Sequence, residues 1–443
     1  MKKWLFLVGA ILIIAVVYFV SKPKISNYYY NEALIFQDSL KKDMMLENLN
    51  KALKFNEENI QALALRAKLY YNSDKMQEAL VDYNFLLSLV ETSENFFNRS
   101  LVYIKLKNFK AAVQDLDKVI GFGNKNADIY YFRGLSNSSL NNNKEALKDL
   151  TEAIKIDSLY AEAYHQRGIV WANLGDLETS ILDFNKSLEI DNKNLDAYNR
   201  RVKYRIDNSD YKGAISDYNA IIELDEGNID AYYQRGYFKY QIQDYQGAVS
   251  DFLKVFESTP ANFDNLKYMS VSYSKLKNYE EALKYLQKAK KINSKDAELY
   301  YRQALIYIKQ KKLNDALKEL NLAIQQKQSY PEAHYTKGVV YAFRQMFKKS
   351  VTEFCLAIQF KNNYYDAYLA RAVSKGLMGQ HKEAIVDYDV YLVHNPLDGE
   401  VFCNRGISKV NAKDMEGACV DFSKAIDLGY KPAEEKKVMY CQN

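Results

Sequence analysis

The apolar and polar positions of this chain alternate with a helical beat nearly from end to end. Over stretches of about a dozen residues, apolar side chains return every three or four positions, which places them on one face of an α-helix. Tyr164, Gly168 and Trp171 show the pattern of one kind of stretch, two large residues with a small one between them; Ala146, Leu150 and Ala153 show that of the other. The two kinds alternate, the second opening about six residues after the first ends, so the helices come in pairs. Asn59, Asn126, Asn194, Asn228, Asn262 and Asp296 fall just before first helices, where an N-cap belongs. Pro331 falls at a first helical position and Pro260 and Pro396 fall in turns, so no Pro is expected to interrupt a helix.

One segment departs from this beat. Trp4 to Val20 is an uncharged run of 17 residues, about 25 Å long as a helix and near the lower limit for crossing a bilayer core. A cleaved signal peptide is the rival reading, with Lys2 and Lys3 as its basic start. The run exceeds the usual apolar length of about 7 to 15 residues and ends in Tyr18, Phe19 and Val20 rather than an Ala-x-Ala-like site. Residues 1–25 are therefore expected to be an uncleaved single-pass anchor that touches the bilayer through residues 4–20. The short basic start favours the amino terminus inside and the body outside the cytoplasm, although Lys22 and Lys24 lie across from it.

Beyond the anchor the chain repeats itself. Tyr130-Tyr-Phe-Arg-Gly134, Tyr164-His-Gln-Arg-Gly168, Tyr232-Tyr-Gln-Arg-Gly236 and Phe402-Cys-Asn-Arg-Gly406 recur in phase. With their Gly as marker, equivalent positions are 33, 67, 100, 134, 168, 202, 236, 270, 304, 338, 372 and 406, a spacing of 34 broken once by 33. The pattern resembles the tetratricopeptide repeat, a 34-residue helix-turn-helix with a large residue, Gly, Tyr, Ala, Phe, Ala and Pro at these spacings. Val202, Ser270, Ala304 and Ala372 depart from it, and the terminal Pro survives only as Pro260 and Pro396. The resemblance implies an all-α, right-handed solenoid of about twelve repeats after the N-terminal transmembrane helix. Their expected bounds are 26–59, 60–92, 93–126, 127–160, 161–194, 195–228, 229–262, 263–296, 297–330, 331–364, 365–398 and 399–432, with a capping helix over 433–443.

The residue before the marker is Arg in eight repeats, at 66, 99, 133, 167, 201, 235, 371 and 405, and the same eight carry Asp fifteen residues after it. The four repeats without the Arg lack the Asp. Matched occurrence predicts structural bridges within a repeat, as in Arg133 with Asp149, Arg167 with Asp183 and Arg235 with Asp251. Pairing to the neighbouring repeat fits worse, because Asp251 would then face Met269.

The resemblance also implies a concave groove lined by first helices. Three before the marker stand Tyr30, Phe97, Tyr131, His165, Tyr233, Tyr301 and Tyr335, and two before it Asn98, Gln166, Arg200, Gln234, Arg302 and Asn404. Rings beside amides suit an extended peptide, and also a sugar; the alternative is that the rings fill space between adjacent helices. An acidic row six before the marker, from Glu94 to Glu400, complements helix dipoles. It also puts Asp196 before Arg200 and Glu298 before Arg302, where the carboxylate clamp of chaperone-associated relatives wants Lys, so tail binding of that kind is not expected.

Composition narrows the rest. At 48% hydrophobic and 26% charged residues the chain is not disordered. Its net charge of +5 owes four to Lys2, Lys3, Lys22 and Lys24, and the nearly neutral body argues against nucleic acid. The histidines, at 165, 334, 381 and 394, lack metal-ligand spacing, and neither a phosphate-cradling glycine loop nor a nucleophile elbow occurs. No metal, cofactor or catalytic residue is expected. Cys419 and Cys441 are candidates for a disulfide that closes the end of the solenoid in an oxidising compartment, with buried free thiols as the alternative. The sequence thus reads as a non-catalytic scaffold, tethered to a bacterial inner membrane with its repeats periplasmic, that binds protein or peptide segments. A solenoid that binds envelope glycan and a regulatory subunit of a membrane complex are the rivals.

Overall fold

The computed structural model describes residues 2–36 and 41–441, with the side chains of residues 2–9 and 12–15 outside the described set. Among the described residues there are 25 helices and no strand. They fall into two compact bodies. Met1–Leu224 holds α1 (Lys2–Leu34), α2 (Lys42–Phe55), α3 (Ile60–Asn72), α4 (Met76–Leu89), α5 (Ser93–Lys105), α6 (Phe109–Gly121), α7 (Ala127–Ser139), α8 (Asn143–Ile156), α9 (Ala161–Asn173), α10 (Leu177–Ile190), α11 (Leu195–Asp207) and α12 (Tyr211–Leu224). Asp225–Asn443 holds α13 (Ile229–Gln241), α14 (Tyr245–Ser258), α15 (Phe263–Lys275), α16 (Tyr279–Ile292), α17 (Ala297–Lys309), α18 (Leu313–Gln326), α19 (Pro331–Phe343), α20 (Phe347–Phe360), α21 (Tyr365–Leu377), α22 (His381–His394), α23 (Gly399–Asn411), α24 (Met415–Asp427) and α25 (Pro432–Tyr440). Within each body every odd-numbered helix packs on the even one after it, and that one packs on the next odd helix, an α-solenoid arrangement.

The local causes repeat with the sequence. Asn59, Asn126, Asn194, Asn228, Asn262 and Asp296 each accept a backbone N–H of the first helical turn. Asp176, Asp244 and Asp414 cap second helices in the same way. From the second repeat on, the chain turns between the helices of a pair through a left-handed residue seven after the marker. It is Gly at Gly175 and Gly379, but elsewhere a side chain occupies it, as at Gln243 (φ 66°) and Lys277 (φ 62°). The N–H three residues beyond the helix end then returns to its last turn, for example Asp244 to the Lys239 carbonyl at 2.8 Å.

Small residues bring the paired helices together. Ala146, Leu150 and Ala153 are fully buried, as are Ala418, Phe422 and Ala425. A Cβ placed on Gly168, Gly236, Gly338 or Gly406 would stand 2.6–2.9 Å from the ring of Phe184, Phe252, Phe354 or Phe422, sixteen residues on. Wherever that partner is Phe the marker is Gly, whereas the buried Tyr83, Tyr218 and Tyr388 hold the same position in repeats whose marker is Ala or Val.

At the N terminus one expected boundary differs from the structure and the anchor is left unshown. The first repeat was expected to begin its own helix after the anchor; instead α1 runs unbroken from Lys2 to Leu34, with Pro23 inside it. The missing Pro23 N–H leaves the carbonyl four residues earlier without its helical donor, yet the helix continues. The membrane anchor is not shown. Among the described residues no helix is long and apolar enough to cross a membrane, and most of the run from residue 4 to 20 falls on side chains outside the described set.

Candidate protein-interaction surface

The buried polar layer fixes which faces remain open. Arg167 Nε donates to Asp183 Oδ2 and Nη2 to Oδ1, both at 2.8 Å. Arg133 with Asp149 and Arg235 with Asp251 form the same two-pronged fork at 2.6–2.9 Å. Forks also join Arg66 to Asp82, Arg99 to Asp115, Arg371 to Asp387 and Arg405 to Asp421, and Arg201 holds Asp217. The carboxylates are 1–6% exposed, so these are desolvated pairs within single repeats.

The neighbouring repeat takes part after all. Arg133 Nη1 reaches back to Asp117 on α6 at 2.7 Å, Arg167 Nη1 to Thr151 on α8 at 3.2 Å and Arg405 Nη1 to Asp389 on α22 at 2.6 Å. A second cation, three after the marker, joins some forks: Lys239 on Asp251, Lys375 on Asp387 and Lys409 on Asp421 at 2.7–2.9 Å. Repeats without the Arg fill the layer differently. Met269 and Tyr285 make it apolar, Lys290 of α16 joins Gln303 to Glu319, and Lys337 and His334 both hold Glu353. In each case the residue types at both positions change together. Among the described residues of these three repeats no charged partner is left facing an apolar one.

The rows three and two before the marker are half-buried, except for Arg200, which is exposed. The rings are engaged with neighbours. Tyr131 packs on Tyr160 with centroids 5.0 Å apart, Tyr301 on Tyr330 at 5.2 Å and Tyr335 on Tyr364 at 4.9 Å. Tyr160, Tyr330 and Tyr364 occupy the N-cap position of the following first helix, where a Tyr makes no side-chain cap. The space-filling alternative thus describes these three. Burial pushes the Tyr131 and Tyr335 hydroxyls up, and that of Tyr233, beside Phe252 at 6.2 Å, to about 12.

Phe97 packs edge-on against Phe132 at 6.0 Å. His165 lies 5.7 Å from the Phe184 ring, with Nε2 2.8 Å from Asp196 Oδ2; burial lowers its pKa, and the Asp196 charge opposes that shift. Gln166 Nε2 donates to Ser138 at 3.1 Å, while Asn98, Gln234 and Asn404 stand on the same face. Arg200 Nε donates to Asp196 at 2.7 Å and Arg302 Nε to Glu298 at 2.9 Å. Burial alone would raise the Glu298 carboxyl, but Lys267 and Arg302 outweigh it and hold it below its ordinary range. Each clamp-like Arg thus already holds a carboxylate of its own helix.

Cys419 and Cys441 are joined, with Cα atoms 5.7 Å apart, and tie α25 over Phe422 and Ala425. Cys403 is a buried thiol and Cys355 an exposed one. Among the described residues no group of three or more His, Cys, Asp or Glu is placed to hold a metal ion.

Comparison with known proteins bears on the repeat itself. The tetratricopeptide repeat model matches residues 93–122, 127–158 and 161–194, and a model described as the TT21 fifth ARM repeats domain matches 237–337. Residues 93–194 therefore carry tetratricopeptide repeats. Among solved structures, the APC/C hetero-tetramer Cut9-Hcn1 is 13% identical over 92% of this chain and 95% of that one, with a TM-score of 0.41. Yeast Tom70 is 15% identical over 94% and 99%, with a TM-score of 0.37. YrrB, described as a TPR protein with an unusual peptide-binding site, is 24% identical over 42% and 95%, with a TM-score of 0.35. None of these carries a function across to this chain. No curated protein matches it.

Proposed function

We propose that this protein is a non-catalytic scaffold that holds protein or peptide segments on the inner faces of its first helices, tethered to a bacterial inner membrane with the repeats on the extracytoplasmic side. The carrying observation is the division of labour within each repeat. Marker, Arg and Asp positions are consumed by packing and buried forks, whereas Asn98, Gln166 and Gln234 sit half-exposed next in sequence to Phe97, His165 and Tyr233, and Asn404 sits half-exposed after Cys403. Amides and ring edges at that level bond a peptide backbone and cover apolar side chains. The tether reading is supported by the uncharged run from residue 4 to 20 within α1, and the compartment by the Cys419–Cys441 pairing. Confinement at a membrane raises the effective concentration of bound partners for one another.

Crosslinking in cells from probes at positions 98, 166 and 234 tests the binding face. A discrete protein partner, lost when Gln166 and Gln234 become Ala, is expected; capture of saccharide instead would overturn the reading. Labelling of a cysteine placed after Lys24 in intact cells tests the side: reaction from outside the cytoplasm is expected.

A further inference from the structure

The helix that follows the twelfth pair is held differently from the first helices before it. From α3 to α23 those helices run for 13 residues, and each buries three or more side chains. α25 has nine residues and buries Ala433 alone. Six of the nine are exposed, among them Val438 and Met439. Its N-cap residue, Lys431, makes no side-chain cap. Helices shorter than about 12–15 residues are marginal in water on their own, so α25 depends on its attachments. It packs on α23 and α24, as other first helices pack on the pair before them. Its last turn is fixed by Tyr440, stacked on Phe422 at 6.3 Å, and by the residue after it, Cys441, bonded to Cys419 of α24.

A third cysteine lies in the cluster that α25 closes. Cys403 of α23 is a free thiol, 4% exposed, gathered with Phe422 and Ala425 of α24 and Ala433 of α25. It stands three before the marker, the place at which Tyr131, Tyr301 and Tyr335 each meet a ring just ahead of the next first helix. Burial pushes its thiol up, and the charge of Lys436 on α25 works against that shift; a buried thiol kept protonated is inert. The bond that holds the cover is itself within reach of solvent. Cys419 and Cys441 are both half-buried, and a hollow of about 510 Å³ lined by Glu416, Cys419, Val420 and Lys424 opens on the outer side of α24.

We infer that the Cys419–Cys441 bond is a redox latch, and that its reduction releases α25 and turns Cys403 from a buried thiol into a reactive one. A dithiol reductant supplies two electrons and two protons: it closes to a disulfide while Cys419 and Cys441 become thiols. The loop between them, a separation of 22 residues, is then no longer closed. One buried alanine and one stacked ring remain to hold a helix of nine residues. Once uncovered, Cys403 is able to attack a disulfide of another molecule. Its sulfur bonds to one sulfur of that disulfide, and the other sulfur leaves as a thiol carrying the Cys403 proton. The latch does not depend on the face proposed to bind partners.

The test is alkylation of the full chain by N-ethylmaleimide, each cysteine being followed by mass spectrometry, with the exposed Cys355 as internal reference. In the oxidised protein Cys355 is expected to react and Cys403 to stay protected. Two samples open the latch: the Cys419→Ser, Cys441→Ser double variant, and wild-type chain treated with dithiothreitol and freed of it under nitrogen. In both, Cys403 is expected to react at least about tenfold faster while Cys355 keeps its rate. Hydrogen exchange on the same samples is expected to show α25 unprotected and α23 and α24 still protected. A Cys403 that stays protected in the double variant would mean that α25 docks unaided. One that matches Cys355 in the oxidised chain would mean that α25 never shields it. Loss of protection throughout α23 and α24 would make the bond a brace for the whole pair rather than a latch on one helix. Each of these three results overturns the inference, and none of them bears on crosslinking from positions 98, 166 and 234.

Discussion

Gly338 lies under the ring of Phe354, and a Cβ added there would stand 2.6 Å from Phe354 Cε1. Phe354 is 1% exposed, so its ring cannot swing aside without disturbing its helix. Gly338→Ala is expected to lower stability by about 1–3 kcal/mol through overpacking. Adding Phe354→Leu reproduces the pairing used by Ala304 and Leu320 and should recover most of the loss. Thermal melts of the two variants check this, and a double variant no better than the single would show that the ring is not the obstacle.

Arg167→Leu should be more damaging than its size suggests. It leaves Asp183, 6% exposed, as an unpaired buried charge, at a cost of about 3–5 kcal/mol. Adding Asp183→Leu removes that charge and should restore much of the melting temperature, while strictly additive losses would argue against the fork as the source.

The left-handed turn positions offer gains. Gln243→Gly relieves a backbone strain of about 1 kcal/mol, partly offset by the greater freedom of Gly in the unfolded chain, for a net gain of about 0.5 kcal/mol. Gly379→Ala (φ 76° at Gly379) should go the other way by about 1 kcal/mol. Urea titration of both variants reads the two signs.

Glu353 gives the fold an acid limit. Burial would raise its carboxyl, but hydrogen bonds from His334 and Lys337 outweigh that and hold it below its ordinary value of 4.5. A carboxylate depressed in the folded state contributes stability above its unfolded pKa, and that contribution fades as the pH falls through the folded value. Glu353→Gln is therefore expected to cost about 3 kcal/mol at pH 7 and progressively less below about pH 4. Melting both proteins across that range checks the convergence.

Reduction should loosen the carboxyl end. The Cys419–Cys441 bond closes a loop with a separation of 22 residues, worth about 3 kcal/mol by chain entropy. Cys441→Ser, or a reductant, should speed hydrogen exchange in α25 while leaving α13–α18 unaffected.

How much of this could be read beforehand follows from what recurs in phase. Arg167 and Asp183 belong to a series in which two positions vary together, and that signal names a partner without coordinates. The coupling of Phe354 to Gly338 carries the same signal, equally visible in the sequence. Lys290 does not, because it reaches Glu319 from the second helix of the preceding repeat, where no other repeat places an equivalent bridge. Tyr160, Tyr330 and Tyr364 were hidden for another reason: they stand where caps belong, so local propensity gave no hint of rings meeting Tyr131, Tyr301 and Tyr335. Nor does Pro23 inside α1 follow from local rules, which end helices near proline.

The guanidinium forks also give the chain a grain. Both prongs of Arg133 hold its own repeat, while only Nη1 reaches the repeat before it. When one hairpin peels from its neighbour, the Nη1 bond breaks and the forked carboxylate leaves with its guanidinium. When one helix peels from its partner, a desolvated charge is stranded. Whole hairpins are thus the cheapest pieces to open, and a shortened array that ends at a repeat boundary keeps its buried forks intact.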